Sequence, residues 1–445
     1  MTDARILEGE EFPTTDGLAT IMLLAAICIT FIILYLVNCR NSAIRSATWT
    51  MVSTAISVFI AVLTYNSASD LVKVIVDAPD HDDDHYGPPG FKMTFSRGMQ
   101  LLVWWYLVVF TLYLNSNSVL HTKTYGLLSG HIMGFAGINF FGDLCLDDPF
   151  RHSPWWFLLV LVILCITFSC LFGSSILLAK CLKKGLTDEE ADRWHDQSND
   201  TGMDFLNMST GFVWSMFFRY LITGKIPTLD GELNQTKYGG WEQIGLMGVG
   251  FALLLLTVVL SMKHVDAPEG SPKEVAFSYL NGMLTNAAAF CILFGFMWTV
   301  YTSSDIMSYC IVAICCSLVA IFYIFASAFF YHHYNVRAKI LRAPFTAVAL
   351  VVALSWEKLF DEMMDKFTDS IQVDGVEDDR IITLLWTGLM ILIVFPAWAV
   401  YMYPKTDDDV QKAYSRELAA GPLPARAAFY DLDLANDYDP DDDEE

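Results

Sequence analysis

The chain has 445 residues, of which 54% are apolar and 17% are charged, and its formal net charge is -23. Soluble globular proteins carry about a quarter charged residues and lack repeated apolar runs of about 20 residues, so this composition excludes that class. The strong negative charge argues against nucleic-acid binding and against docking on anionic lipid through a basic patch. The sequence therefore predicts an all-α, multi-pass membrane protein.

Eleven apolar stretches are long enough to cross about 30 Å of hydrocarbon at about 1.5 Å per residue. They lie at 17–38, 46–66, 97–116, 124–142, 154–180, 203–223, 241–262, 276–301, 306–331, 341–362 and 382–403. The sixth stretch carries Asp204, Asn207 and Arg219, so an amphipathic or re-entrant helix is the alternative there. We expect Arg219 to snorkel to the membrane surface rather than to pair with a membrane acid.

Loop charge predicts the orientation of these spans, because Lys and Arg favour the cytoplasmic side. Basic residues follow the first, third, fifth and ninth spans, whereas acidic residues fill the loops at 77–85, 147–148 and 374–379. The N-terminus is therefore expected outside and the C-terminus in the cytoplasm. A glycosylation sequon at Asn234 falls in a segment expected outside, which favours the plasma membrane or another secretory-pathway membrane.

Two halves of the chain share one order of features. The second span ends in YNSASD at 65–70 and the eighth in YTSSD at 301–305. Each is followed by a span, a short basic connection and a helix with a polar pair. Spans one to five then match spans seven to eleven in the same orientation, as in parallel transporter repeats. Chance similarity between apolar helices is the alternative.

These features predict five regions. They are an extracytoplasmic N-terminus at 1–16, a first five-helix repeat at 17–185, a linker with an additional membrane or amphipathic helix at 186–240, a second five-helix repeat at 241–404, and an acidic, disordered cytoplasmic tail at 405–445.

Two acidic residues lie in the tenth span, where a charge costs about 3 kcal/mol at mid-bilayer unless it faces protein or water. Glu357 and Asp361 share one helix face. Counted from Pro344, Glu357 lies about 20 Å along the axis, in the outer half of the membrane. The matching positions of the first half are Asn139 and Asp143. We predict that these four side chains line a cation pathway. The alternatives are an ion pair between Glu357 and Lys358, interhelical hydrogen bonds, or a helix end that reaches water.

His131 is a further candidate for this pathway. It lies in the fourth span, and an imidazole that titrates near neutral pH suits proton relay or pH sensing. Gly130, Gly134 and Gly137 surround it and allow either a polar cavity or close contact between helices. A packed, hydrogen-bonded histidine is the alternative.

An acidic outer loop is predicted to collect cations at the mouth of the pathway. Its candidate residues are Asp80, His81, Asp82, Asp83, Asp84 and His85. Their spacing matches no calcium-loop or zinc pattern, so no metal is assigned, and a solvated run of charge is the alternative.

Enzyme signatures are missing from the sequence. It contains no phosphate-binding glycine loop, no His-Glu-x-x-His and no Gly-x-Ser-x-Gly, so we predict a protein that is not an enzyme and needs no cofactor. It also contains neither a row of arginines typical of a voltage sensor nor a potassium-filter sequence.

The plan of two parallel halves of membrane helices, with scattered intramembrane acids, histidine and asparagine, resembles that of the otopetrin proton channels. The likeness is in architecture only, and no motif matches residue by residue. We predict a cation channel or carrier in a lipid bilayer, with protons the first ion to test, and with a homo-oligomer compatible with the sequence. The alternatives are a proton-coupled solute transporter and a structural or assembly subunit that transports nothing.

Overall fold

The computed structural model describes residues 15–76, 90–148, 150–182, 185–231, 238–264, 271–300, 305–334, 338–370, 379–406, 410 and 412. Within these residues eleven α-helices follow one another and no strand occurs. The helices are α1 (Thr15–Val37), α2 (Ser42–Val76), α3 (Gly90–Leu114), α4 (Val119–Leu146), α5 (Trp156–Leu182), α6 (Asp188–Thr223), α7 (Gly240–His264), α8 (Pro272–Thr299), α9 (Asp305–Tyr334), α10 (Ala338–Ser370) and α11 (Asp379–Ala397). Each of the eleven apolar stretches overlaps one of these helices, and the last continues past α11 through the π-helix Trp398–Met402. The predicted N-terminal segment and acidic tail lie almost wholly outside the described residues.

Seven of the described helices are long and apolar enough to cross a membrane: α2, α3, α5, α7, α8, α9 and α11. α1 adds a shorter apolar stretch, Met22–Val37. The most apolar windows of α7 and α11 are only 17% buried, whereas that of α8 is 61% buried, so apolar side chains of the peripheral helices form the outer surface. These features fit an integral membrane protein.

Three long helices, α4, α6 and α10, are not among those seven. Much of each is buried among other helices instead. Buried residues extend along α4 from Leu120 to Cys145 and along α6 from Ala191 to Arg219. Because protein rather than lipid surrounds them, these helices accommodate polar residues that a lipid-facing helix would exclude.

α6 is a single helix of 36 residues, about 54 Å long at about 1.5 Å per residue. Its first turn is fixed by a capping box: the Thr187 hydroxyl accepts a hydrogen bond from the Glu190 amide, and the Glu190 carboxylate accepts one from the Thr187 amide. It ends at Gly224, whose φ of 65° terminates the helix in the left-handed conformation. The additional helix predicted in the linker therefore begins well before the apolar stretch at 203–223.

α6 packs closely between α4 and α8. A Cβ atom on Gly130 of α4 would lie 2.8 Å from the Asp204 carboxylate, and one on Gly211 of α6 would lie 2.8 Å from the Ala287 backbone nitrogen. Of the two roles predicted for the glycines around His131, these distances show close contact between helices.

The fourth helices of the two halves share three adjacencies, although α10 also packs against α7 and α4 has no comparable contact with α1. α4 contacts α2, α3 and α5, and α10 contacts α8, α9 and α11. Between the halves, α2 packs directly against α10 and α11. α6 contacts both halves, α4 and α5 of the first and α8 and α7 of the second.

Candidate functional site

A group of charged side chains lies where α4 ends and α10 passes the loop after α6. We call it the charge cluster, and it contains Arg97, Asp143, Arg219, Asp230, Glu357, Lys358 and Asp361. It brings together three of the residues predicted from the sequence, Asp143, Glu357 and Asp361.

The first part of the charge cluster is an ion pair between α3 and α4. Nη1 of Arg97 lies 2.5 Å from Oδ1 of Asp143, and the same nitrogen lies 3.5 Å from the backbone oxygen of Asn139. The Asp143 side chain is only 2% exposed and that of Arg97 is 14% exposed. Removing one partner of such a buried pair typically costs about 3–5 kcal/mol, because the other charge stays buried without compensation.

The second part is an ion pair between α10 and the loop that connects α6 to α7. Nζ of Lys358 lies 3.2 Å from Oδ1 of Asp230. The Lys358 ammonium, through its charge and hydrogen bond, holds the pKa of the Asp230 carboxyl below its usual range. The guanidinium groups of Arg97 and Arg219 lower the pKa of Asp230 further. Asp230 therefore lies within electrostatic reach of cations from three different helices.

Contacts on either side of Glu357 fix the rotation of α10. The indole nitrogen of Trp356 donates a hydrogen bond of 2.9 Å to the Ser317 hydroxyl of α9. The ring of Phe360 packs edge-on against Phe59 of α2, with 5.0 Å between the ring centroids. Trp356 and Phe360 are four residues apart and therefore share one face of α10, and Glu357 lies next to that face with only 4% of it exposed.

Glu357 and Asp361 form the third part of the charge cluster. They are one helical turn apart, and their carboxyl groups lie within hydrogen-bonding reach of each other. Two carboxylates at that separation repel each other, and a cation bound between them would relieve this repulsion.

Arg219 is buried in the protein, so the expectation that it snorkels to the membrane surface is wrong. It is 1% exposed. Its Nη1 donates a hydrogen bond of 2.8 Å to the Thr228 carbonyl, and its guanidinium lies 4.1 Å from the centroid of the Phe294 ring. The loop after α6 covers this end of the helix, and the Trp298 indole nitrogen holds that loop by a 3.1 Å hydrogen bond to the Gly231 carbonyl.

Asn139 and His131, both predicted to line the pathway, do not join the charge cluster. The side-chain amide of Asn139 donates to the Phe135 carbonyl of its own helix at 3.0 Å. His131 lies twelve residues before Asp143, about 18 Å along the helix axis at about 1.5 Å per residue. The Nδ1 atom of His131 is 3.3 Å from the Ser57 hydroxyl of α2. The predicted outer-mouth residues, Asp80 to His85, lie outside the described residues.

Sequence reasoning missed Arg97 and Asp230 as site residues, and it considered Lys358 only as a possible partner of Glu357. Arg97 is the first residue of the third apolar stretch, and Lys358 is a basic residue within the tenth. Each was therefore visible as a charge at or inside a predicted span. Asp230 lies in a polar loop, where a single acid carries no such signal. Among the described residues, no group of three or more His, Cys, Asp or Glu side chains could hold a metal ion.

Comparison of this chain with protein-family models, with curated proteins and with solved structures finds no match. The function is therefore argued from the fold and the charge cluster.

Proposed function

We propose that this protein transports cations across a membrane, with protons the first ion to test, and that Glu357 and Asp361 bind the transported ion. The observation that carries the proposal is the burial of Glu357, at 4% exposure, with a second carboxyl group within hydrogen-bonding reach. Acidic residues inside a membrane domain are costly, and in membrane proteins they mark ion pathways and proton relays.

The proposal includes the transmembrane arrangement. All eleven helices cross the bilayer, the N-terminus is outside, the C-terminus is cytoplasmic, and the two halves are parallel five-helix repeats. The shared adjacencies of α4 and α10 support the repeat. The contacts of α6 support it as well, because α6 contacts helices of both halves while α2 meets α10 and α11 directly. The sequon at Asn234 supports a plasma or other secretory-pathway membrane, and transport requires no enzyme chemistry.

The test is ion flux through purified protein in liposomes across a pH step. Glu357→Gln keeps the size of the side chain and removes the carboxylate, so flux should fall to that of empty liposomes. Glu362→Gln is the matched control, because it makes the same chemical change on α10 at a residue that pairs with Lys366 at 3.8 Å. Flux in Glu362→Gln should equal that of the unaltered protein. Unaltered flux in folded Glu357→Gln protein would contradict the proposal.

The ion pairs of the charge cluster favour one other candidate, a structural or assembly subunit whose charged residues only join helices. Arg97 to Asp143 and Lys358 to Asp230 are contacts of this kind. This candidate predicts that Glu357→Gln lowers the unfolding temperature while neither protein conducts any ion. A proton-coupled solute carrier would be recognised by proton flux that occurs only when its solute is present.

A further inference from the structure

We propose that Arg97 is a tethered cation that occupies the ion site of the first half, so that transport runs only through the acid pair of the second half. This inference rests on the proposed transport function and concerns the difference between the two halves. It assigns to Asp143 a cation site of the same chemical kind as that of Asp361, filled by a guanidinium from the chain itself.

The matching positions in the two halves carry different partners. Asp143 corresponds to Asp361, and Asn139 corresponds to Glu357. In the first half the Arg97 guanidinium contacts both positions, through the Asp143 carboxylate at 2.5 Å and the Asn139 backbone oxygen at 3.5 Å. A mobile cation that binds Oδ1 of Asp143 would have to displace this guanidinium.

The second half also has a basic residue beside its acids, but that residue is engaged elsewhere. Lys358 places its ammonium 3.2 Å from Asp230, on the loop after α6. Neither Glu357 nor Asp361 forms an ion pair with it within 4.0 Å. The two carboxyl groups of α10 therefore lie within hydrogen-bonding reach of each other, and the Lys358 ammonium acts on them through its charge alone.

The side-chain amide of Asn139 adds to this difference between the two halves. Its nitrogen donates to the Phe135 carbonyl of α4, so the first half presents one carboxylate where the second half presents two. One carboxylate and one guanidinium neutralise each other without an additional ion. The two acids of α10 share a single cation, Lys358, with a third acid, Asp230.

The test removes the Arg97 guanidinium from a protein in which the acid pair of the second half is already inactivated. In a Glu357→Gln background, Arg97→Cys should raise flux about tenfold above that of Glu357→Gln alone, the change expected when the barrier falls by about 1.4 kcal/mol. A thiol reagent that adds an ethylammonium group restores the positive charge and should close the pathway again, whereas a reagent that adds an ethylsulfonate should not. Adding Asp143→Asn to the same protein should remove the recovered flux.

Two controls make the outcomes distinct. Glu357→Gln alone, treated with the same reagents, accounts for the native cysteines. If Arg97→Cys does not fold, Arg97→His purified at acidic pH retains a cation at this position, and a step to alkaline pH in liposomes then removes it. Flux that stays at the level of Glu357→Gln in folded Arg97→Cys or Arg97→His protein would overturn the inference. Absence of flux in the unaltered protein, with Glu357 and Asp361 intact, would instead overturn the proposed function.

Discussion

Lys358 directly follows Glu357 in α10, yet its ammonium lies 3.2 Å from the Asp230 carboxylate on the loop after α6. The loop thereby holds a cation that would otherwise be placed to neutralise the acids of α10. Lys358 is 25% exposed and Asp230 is 62% exposed, so water reaches this pair and screens it. The pair is therefore weaker than the one between Arg97 and Asp143, and it can be altered without unfolding the protein.

Asp230→Asn should slow ion flux. Without the Asp230 carboxylate, the Lys358 ammonium is free to turn towards Glu357 and Asp361, where it competes with the transported ion. Flux in liposomes should fall while the protein remains folded and monodisperse in detergent. The double variant Asp230→Asn, Lys358→Gln should regain flux, because the released cation is no longer present. Equal flux in all three proteins would contradict this role of Lys358.

The same pair makes a prediction about pH. Because Lys358 holds the pKa of Asp230 below its ordinary value of 3.8, Asp230 binds protons more readily in the unfolded chain than in the folded protein. Its stabilising contribution is therefore complete above pH 3.8 and disappears as the pH falls through the lowered pKa of the folded state. The difference in unfolding temperature between the unaltered protein and Asp230→Asn should shrink over that interval. A difference that grows on acidification would contradict the direction of the pKa change.

Arg219→Gln should destabilise the protein by about 2 kcal/mol. The Thr228 carbonyl loses a hydrogen bond to a charged donor, worth about 1.5–3 kcal/mol, and the contact with the Phe294 ring is lost as well. Arg193→Gln is the matched control, because its ion pair with Glu189 is long, at 3.9 Å, and Glu189 is 83% exposed. That change should cost at most about 1 kcal/mol. Chemical unfolding of both variants in detergent measures the difference, and equal losses would contradict the structural role of Arg219.

The positions of the helices could be predicted from the sequence because an apolar run of sufficient length has few alternatives to a helix in a membrane. The bounds of α6 and α10 could not, because hydropathy detects only the apolar part of a helix. α6 begins at Asp188 with a polar turn, and α10 continues past the predicted end at 362 to Ser370. In both helices the additional turns are polar.

The charge cluster could be predicted only in part. Alignment of the two halves singled out Asp143 and Asp361, because each is an acid at the end of an apolar stretch. Their surroundings depend on packing between distant segments: Arg97 and Asp143 are 46 residues apart, and Asp230 and Lys358 are 128 apart. The expectation for Arg219 was wrong for the same reason. A side chain near a helix end snorkels only if no other segment covers that end, and here the loop after α6 does.

Gly211→Ala should destabilise the contact between α6 and α8. The added Cβ would lie 2.8 Å from the backbone nitrogen of Ala287, and a backbone atom cannot move aside as the end of a side chain can. Overpacking of this kind costs about 1–3 kcal/mol. Gly248→Ala on α7 is the matched control, since nothing lies within 4 Å of its added Cβ, and the better helix propensity of alanine should leave stability equal or slightly higher. Thermal unfolding that ranks the two variants in the opposite order would contradict the close packing of α6.

The last prediction follows from the length of α6. It tests whether this helix crosses the membrane, since the sequence also allowed an amphipathic or re-entrant helix there. At about 54 Å, the helix exceeds the roughly 40–45 Å of a whole bilayer with its headgroups, so both ends should reach water on opposite sides. Asp188 and Lys225 are exposed at its two ends. In sealed cells, a membrane-impermeant thiol reagent should label Lys225→Cys and leave Asp188→Cys unlabelled until the membrane is permeabilised. The protein without an added cysteine controls for labelling of its native thiols.

Labelling of both positions before permeabilisation would mean that α6 enters and leaves on one side, and the termini would then lie on the same side of the membrane. The repeats would no longer share one orientation, and the correspondence between Asp143 and Asp361 would lose its basis.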